Sequence, residues 1–97
     1  MRLVWQRQAR EELFEAIRHY RHVAGDRVAR EFVHSVTRTA GRLCAFPALG
    51  IRCSDAIRRF SLHGYPYDVI YRADAVAVVI IALAHHARRP GYWAGRR

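Results

Sequence analysis

The sequence predicts an α+β protein with the element order β-α-α-β-β-β, in which a helical hairpin packs on a small antiparallel sheet. Through the first half of the chain, apolar residues recur at helical spacing, as on amphipathic helices. Later segments alternate between apolar and polar residues, as strands with one covered face do. The unbroken apolar run Val76–Ala84 is rich in β-branched residues, which indicates a strand covered on both faces.

The N-terminal segment predicts a short strand followed by a long helix. The triplet Leu3-Val4-Trp5 fits a brief strand within residues 2–5. A helical stripe begins after Gln6 and continues to about Val23, while Glu12 and its acidic neighbours lie off that stripe. We expect Trp5 in the core together with the stripe, which consists of Ala9, Leu13, Ala16, Ile17 and Tyr20.

The two helices should form an antiparallel hairpin, because the break between them is short. Gly25 suits the C-terminal cap of the first helix, and Asp26 suits the N-cap of the second. Phe32 is the expected anchor between the helices. The second helix ends at Phe46-Pro47, where proline cannot continue a helix.

Consecutive strands joined by short turns follow a loop that runs to about Asp55. Residues 57–63 alternate, with Arg59, Ser61 and His63 on the outer face. Turns are predicted at residues 64–66 and 73–75, on either side of an alternating strand from Tyr67 to Arg72. With the run from Val76, these strands form an antiparallel meander.

Composition indicates one basic domain, residues 1–97. The formal net charge is +9, and all 17 basic residues are Arg. Arginine offers a planar fork of donors to carboxylates and phosphates, which fits an acidic protein or a nucleic acid as partner. No signal peptide is evident, and no apolar run approaches the roughly 20 residues that span a bilayer. We therefore expect a cytoplasmic protein without a membrane partner, in which Cys44 and Cys53 are reduced.

A basic and aromatic cluster directly follows the last predicted strand, within residues 85–93. Together with arginines on neighbouring strands it predicts a target-binding surface, although strand-end histidines are often ordinary hydrogen-bonded surface residues. The aromatic pair could equally fold back as an apolar cap on the sheet. The histidines have no third metal ligand nearby, so no metal and no cofactor are expected. The predicted target-binding residues are Arg58, Arg59, Arg72, His85, Arg88, Arg89, Tyr92 and Trp93.

Several segments resemble the RelE/ParE toxin superfamily. Residues 46–50, Phe-Pro-Ala-Leu-Gly, look like the loop after its second helix, and residues 59–67 look like its second strand and turn. Residues 69–72, Val-Ile-Tyr-Arg, look like its third strand, and residues 85–93 resemble the basic C-terminal signature of the ParE-like branch. The similarity covers nearly the whole chain. It implies the RelE/ParE-like fold and a toxin of a type II toxin–antitoxin pair.

The resemblance implies one of two activities. RelE-like members cleave mRNA in the ribosomal A site without metal, whereas ParE-like members poison DNA gyrase and lack the ribonuclease residues. Asp68 stands where RelE-like enzymes place an arginine, and a carboxylate there repels the scissile phosphate. The resemblance therefore favours gyrase inhibition by binding, without catalysis. Asp68 also has a structural interpretation, as the partner of Arg59 on the neighbouring strand.

The resemblance also implies an antitoxin whose C-terminal segment wraps around the toxin, and the basic charge suits an acidic segment that folds on binding. We expect the helix surfaces and the sheet edge to hold it. A ribosome-dependent mRNA interferase is the alternative. His85 or His86 would then be acid or base, and Tyr92 would stack on a base, with Arg88 and Arg89 beside them. A degenerate member without toxicity is a further possibility.

Overall fold

Two helices pack on one face of a five-stranded mixed sheet in the computed structural model, which describes residues 1–96. Residue 97, the last of the predicted domain, lies outside this range. The α+β class and the predicted element order are confirmed, with one strand added in the segment predicted as loop. The elements are β1 (Arg2–Trp5), α1 (Arg7–Ala24), α2 (Asp26–Ala45), β2 (Ile51–Arg52), β3 (Arg58–Ser61), β4 (Tyr67–Ala73) and β5 (Ala77–His85).

The strand order in the sheet is β1-β5-β4-β3-β2. Strands β3, β4 and β5 form the predicted antiparallel meander, and β2 extends it by pairing antiparallel with β3. The added strand arises from a tight hairpin in which the Cys53 amide donates to the Ile57 carbonyl at 2.8 Å. The sheet is mixed because the helical hairpin separates β1 from the meander, and β1 then pairs parallel with β5, with Leu3 opposite Val78.

The helical hairpin turns at one residue, Gly25, whose φ of 92° is accessible to glycine without strain. Its amide donates to the Arg21 carbonyl at 3.1 Å, which confirms the predicted C-cap of α1. The predicted N-cap is wrong, because Gly25 also precedes α2 directly and Asp26 lies in the first turn of that helix. The Asp26 carboxylate instead pairs with Arg21 at 3.3 Å. A negative charge in the first turn still interacts favourably with the helix dipole.

Phe32, the predicted anchor between the helices, is fully buried. Its ring lies 4.8 Å from the ring of Tyr20 on α1 and 5.5 Å from that of Tyr67 on β4. Trp5 and Tyr20 both pack against this core, as expected. These aromatic contacts join the two layers of the fold.

Strand β5 is covered on both faces, as predicted, and its residues 77–84 are all buried. Ile80 and Leu83 belong to the core beneath the helices, whereas Ile81 and Ala82 belong to a second core on the opposite face. A β-bulge shifts the alternation of side chains between the two faces. Ile70 pairs with Ala82 and Tyr71 pairs with Ile80, so Ile81 has no pairing partner on β4. The bulge thereby turns the end of β5.

Tyr71 fixes the loop between α2 and β2 from inside the core. Its buried hydroxyl donates to the Pro47 carbonyl at 2.7 Å and accepts from the Gly50 amide at 2.8 Å. Arg58 donates to the carbonyls of Ala48 at 3.3 Å and Gly50 at 2.8 Å. A Cβ at Gly50 would lie 2.7 Å from the Tyr71 hydroxyl, so glycine is needed for this close approach.

Neither α1 nor α2 is long and apolar enough to cross a membrane. Cys44 is partly buried, Cys53 is exposed, and both are free thiols.

Candidate functional site

A cavity of about 440 Å³ opens where the chain leaves β5. Its walls come from β3 and the hairpin before it, from the first half of β4, and from the end of β5 with the segment that follows. The structure therefore brings together most of the predicted target-binding residues and both predicted histidines. The predicted residues in its lining are Arg59, His85, His86, Arg88, Arg89, Tyr92 and Trp93, and Asp68 lies among them.

Arg58 and Arg72 lie outside the cavity lining. Arg58 is paired opposite Tyr71, so strand alternation turns it towards the face that the helices cover, whereas Arg59 points to the opposite face. Arg72 pairs with Asp74 at 3.9 Å, at the far end of β4. These two arginines are therefore separated from the other predicted target-binding residues, and their role in target binding stays a prediction.

Asp68 lies at the centre of a polar network in the cavity. The Ser61 hydroxyl donates to Asp68 Oδ1 at 2.6 Å, and His86 Nε2 lies 2.9 Å from the same oxygen. Arg59 Nη1 lies 3.9 Å from Oδ2, so the predicted pairing across β3 and β4 is present but looser than the histidine contact. The side chain of Asp68 is 17% exposed. Its negative charge is thus engaged by groups of the chain itself.

The neighbouring histidines occupy different environments. The ring of His85 lies edge-on to the ring of Tyr67, with 4.9 Å between the centroids, and its Nδ1 accepts from the Ala87 amide at 2.9 Å. His86 is more exposed and turns towards Asp68. A neutral His86 that donates its Nε2 proton to Asp68 has an acceptor at Nδ1. His86 is therefore the better placed of the two for proton transfer.

Glu12 of α1 holds the far wall of the cavity in place. Its Oε2 accepts from the Tyr92 hydroxyl at 2.6 Å, and Arg96 donates to Oε1 at 2.9 Å and to Oε2 at 3.1 Å. Oε1 also accepts from the Leu83 amide at 3.0 Å, and Arg96 donates to the Ile81 carbonyl at 3.1 Å. We call these groups the Glu12 clasp. The side chains of Glu12 and Arg96 are 10% and 16% exposed, so their contact is largely shielded from water.

The Glu12 clasp supplies hydrogen bonds to the edge of β5 that β1 does not reach. Strand β1 ends at Trp5, opposite Ile80, and the last bond to this edge of β5 runs from the Gln6 amide to the Ile80 carbonyl at 3.0 Å. Beyond that point, Glu12 and Arg96 bind the backbone of β5. Buried backbone groups need such partners, since an unpaired one is costly.

Tyr92 and Trp93 pack on the second core, which contains Ile70 and Ile81, and so cover the sheet face opposite the helices. Burial and then the hydrogen bond to the Glu12 carboxylate raise the pKa of Tyr92, which keeps its hydroxyl a donor. The Arg88 guanidinium lies 3.9 Å from the centroid of the Tyr92 ring, a cation–π contact. The aromatic pair thus has the structural role of a cap, and its part in target binding stays a prediction.

Glu12 was not among the predicted functional residues, because it lies off the apolar stripe of α1. A usable signal was its spacing of three from Ala9 and four to Ala16, which places it at the border of the buried stripe. In the described part of the chain, no group of three or more His, Cys, Asp or Glu side chains could hold a metal ion.

Comparison with known proteins identifies a matching family model and similar solved structures. A family model described as the ParE toxin of type II toxin-antitoxin system, parDE, matches residues 3–90. A solved structure described as the chromosomal ParDE TA system from P. aeruginosa superposes with a TM-score of 0.76 at 20% sequence identity. That match covers 88% of this chain and 95% of the other, and it shows a shared fold. No curated protein matches the sequence.

Glu12→Gln is expected to loosen residues 88–96 from the sheet. The substitution keeps the size of the side chain but removes the charge that binds Arg96, at a cost of about 1–3 kcal/mol. Amide hydrogen exchange should therefore accelerate in residues 88–96 and at Leu83. Glu11→Gln is the matched control, because it is the same substitution at a neighbouring position that is exposed. Equal exchange in the two variants would show that the clasp does not hold this segment.

Proposed function

This chain belongs to the ParE toxin family of type II toxin–antitoxin systems, and on that premise we propose that it inhibits DNA gyrase by binding and is neutralised by a cognate antitoxin. The inhibitor performs no catalysis of its own in this proposal. It acts as a single domain in the cytoplasm, where its target works.

The engaged carboxylate of Asp68 is the observation that supports binding without catalysis. Metal-free cleavage of a phosphodiester needs cations where negative charge develops. In this cavity the central side chain is the Asp68 carboxylate. It already accepts a hydrogen bond from Ser61, contacts His86 and lies within 3.9 Å of Arg59. A phosphate placed there would meet a negative charge, and the nearest cation is already shared.

The rim of the cavity offers chemistry suited to a protein partner. Arg88 and Arg89 are exposed, and the partly exposed rings of Tyr92 and Trp93 lie beside them. Arginine and large aromatic residues are enriched among the side chains that dominate protein–protein binding energy. Because Tyr92 is held by the Glu12 clasp, this rim loses little conformational freedom on binding.

An acidic antitoxin segment is the expected neutralising partner. The chain carries 17 basic and 8 acidic residues, and two of the acidic side chains, Glu12 and Asp68, are already engaged at the cavity. The excess positive charge speeds encounter with an acidic segment and favours its folding on the toxin surface.

Arg89→Glu is expected to weaken gyrase inhibition by about tenfold or more, because a like charge facing an acidic surface costs several kcal/mol. The measurement is supercoiling of relaxed plasmid by purified gyrase across a toxin titration, with trapped cleavage complexes scored in parallel. Arg30→Glu on α2, also exposed and outside the cavity lining, should inhibit like the wild type. A wild-type toxin that neither inhibits gyrase nor traps cleavage complexes at micromolar concentration would refute the proposal.

A ribosome-dependent mRNA interferase is the second candidate, favoured by the 2.9 Å contact between His86 Nε2 and Asp68 Oδ1. A carboxylate that orients a histidine in this way supports acid–base catalysis in other enzymes. Reporter mRNA in a translating extract distinguishes the candidates. We expect the mRNA to stay intact at inhibitory toxin concentrations. Cleavage that is lost in His86→Ala but kept in His63→Ala, an exposed histidine outside the cavity lining, would establish the interferase instead.

A further inference from the structure

The outward side of α2 carries a line of basic side chains, all of them exposed, at spacings of three, four and four residues. Such spacings place side chains on one side of a helix. The other side of α2 packs into the core through residues such as Phe32. We call this line the α2 basic face, and it consists of Arg27, Arg30, His34 and Arg38.

The α2 basic face is one continuous surface. All four of its residues line a single shallow depression of about 400 Å³, together with Glu31. Within the described part of the chain, no apolar side chain and no residue of another element belongs to that lining. The face extends about 16 Å along the helix axis, because each residue adds about 1.5 Å. A helix of 20 residues holds these positions, so their spacing is fixed before a partner binds.

Positive charge on the α2 basic face is only partly neutralised. The carboxylate of Glu31 pairs with Arg27 at 2.7 Å. Arg30 and Arg38 belong to no ion pair within 4.0 Å among the described residues. The formal net charge of the chain is +9, so a negatively charged partner is attracted over a distance as well as on contact.

A partner made of phosphates fits this face better than a protein does. Protein interfaces have a core of apolar and aromatic side chains, whereas interfaces with DNA are more polar and much more positively charged. Single-stranded nucleic acid is held in large part by aromatic rings that stack on its bases, and the described lining has no Phe, Tyr or Trp. Duplex DNA presents a regular array of phosphates, about nine over a length of about 16 Å when both strands are counted.

We propose that the α2 basic face binds the phosphate backbone of duplex DNA without regard to base sequence. The guanidinium groups of Arg30 and Arg38 donate to phosphate oxygens, for which the planar fork of arginine is suited. Contacts of this kind position a protein on DNA and carry no sequence information. The choice of DNA rests on the proposed function, since gyrase works on duplex DNA and the toxin has to reach it there.

The α2 basic face and the cavity at the end of β5 lie on different sides of the molecule. The helices cover one face of the sheet, whereas the cavity lies on the other, where Ile70 and Ala84 belong to the second core. The two surfaces share no lining residue. DNA on α2 therefore leaves the cavity rim open to gyrase, and a variant that loses DNA binding should keep gyrase inhibition.

The test measures binding of the purified toxin to a short fluorescent DNA duplex by anisotropy, without gyrase, across a salt titration. Arg30→Gln/Arg38→Gln removes two of the proposed phosphate contacts and should weaken binding by about tenfold at low salt. Each phosphate contact contributes about 0.9 to the slope of log affinity against log salt, so the slope should fall by about two. Duplexes of different base sequence should bind with the same affinity.

Two control variants separate the position of the charge from its amount. Arg2→Gln/Arg52→Gln loses the same net charge at exposed arginines of the outermost strands, β1 and β2, and should bind DNA within about twofold of the wild type. Arg30→Lys/Arg38→Lys keeps the charge and should keep the salt slope. All four positions are exposed, so the thermal midpoint of each variant should match that of the wild type.

Equal loss of DNA affinity in Arg30→Gln/Arg38→Gln and in Arg2→Gln/Arg52→Gln would overturn the inference, because net charge alone would then explain binding. Tighter binding to single-stranded RNA than to duplex DNA of the same length would also overturn it. The antitoxin, which was expected at the helix surfaces, is the competing occupant. Loss of antitoxin affinity in Arg30→Gln/Arg38→Gln at unchanged DNA affinity would assign the face to that protein instead. Failure of the wild-type toxin to inhibit gyrase would contradict the proposed target and leave the DNA result in force.

Discussion

The carboxylate of Glu12 is the contact on which the functional end of this protein depends. It reaches from α1 to the backbone of β5, to Tyr92 and to Arg96, and so connects α1 to the last part of the chain, more than 70 positions away. Both oxygens carry two donors each, and the side chain is 10% exposed. A charge in such a position stabilises the fold only when every partner is present, because an unpaired buried carboxylate is costly.

The need for this contact follows from the sheet. Strand β1 is short and stops opposite Ile80, which leaves the end of β5 without a strand neighbour on that side, while β4 pairs with its other side. The bulge at Ile81 redirects the backbone at that place. Glu12 and Arg96 complete the missing bonds, and the same bonds lay the C-terminal segment across the second sheet face. The cavity wall is therefore a consequence of how the sheet ends. Asp68 has a corresponding role inside the cavity, where it accepts a hydrogen bond from Ser61 and contacts His86.

Sequence periodicity was sufficient to predict the elements that depend only on neighbouring residues. The helical stripe, the Gly25 break and the doubly covered β5 all follow from spacing or from one residue type. Features that depend on distant pairing were not accessible in this way. Strand β2 exists only because Ile51 and Arg52 meet Arg59 and Arg58, and the parallel pairing of β1 needs the complete sheet.

The site was partly accessible from sequence for the same reason. The cluster after β5 is local, so His85, His86, Arg88 and Arg89 were found together, and the pairing of Asp68 with Arg59 follows from strand alternation. Strand alternation also places Arg58 and Arg59 on opposite faces of the sheet, although both were predicted to bind the target. The Glu12 clasp joins residues about 80 positions apart, and the family match ends at residue 90, before Tyr92 and Arg96. Three-dimensional structure was needed to see it.

A double-mutant cycle on Glu12 and Arg96 tests the central claim most directly. The free energy of unfolding is measured in urea for the wild type, Glu12→Gln, Arg96→Gln and the double variant. Residues that act in one hydrogen-bonded unit are coupled, so we predict that the double variant is more stable than the sum of the single losses implies, by about 1 kcal/mol or more. Additivity within about 0.5 kcal/mol would contradict the account, because the two side chains would then act independently.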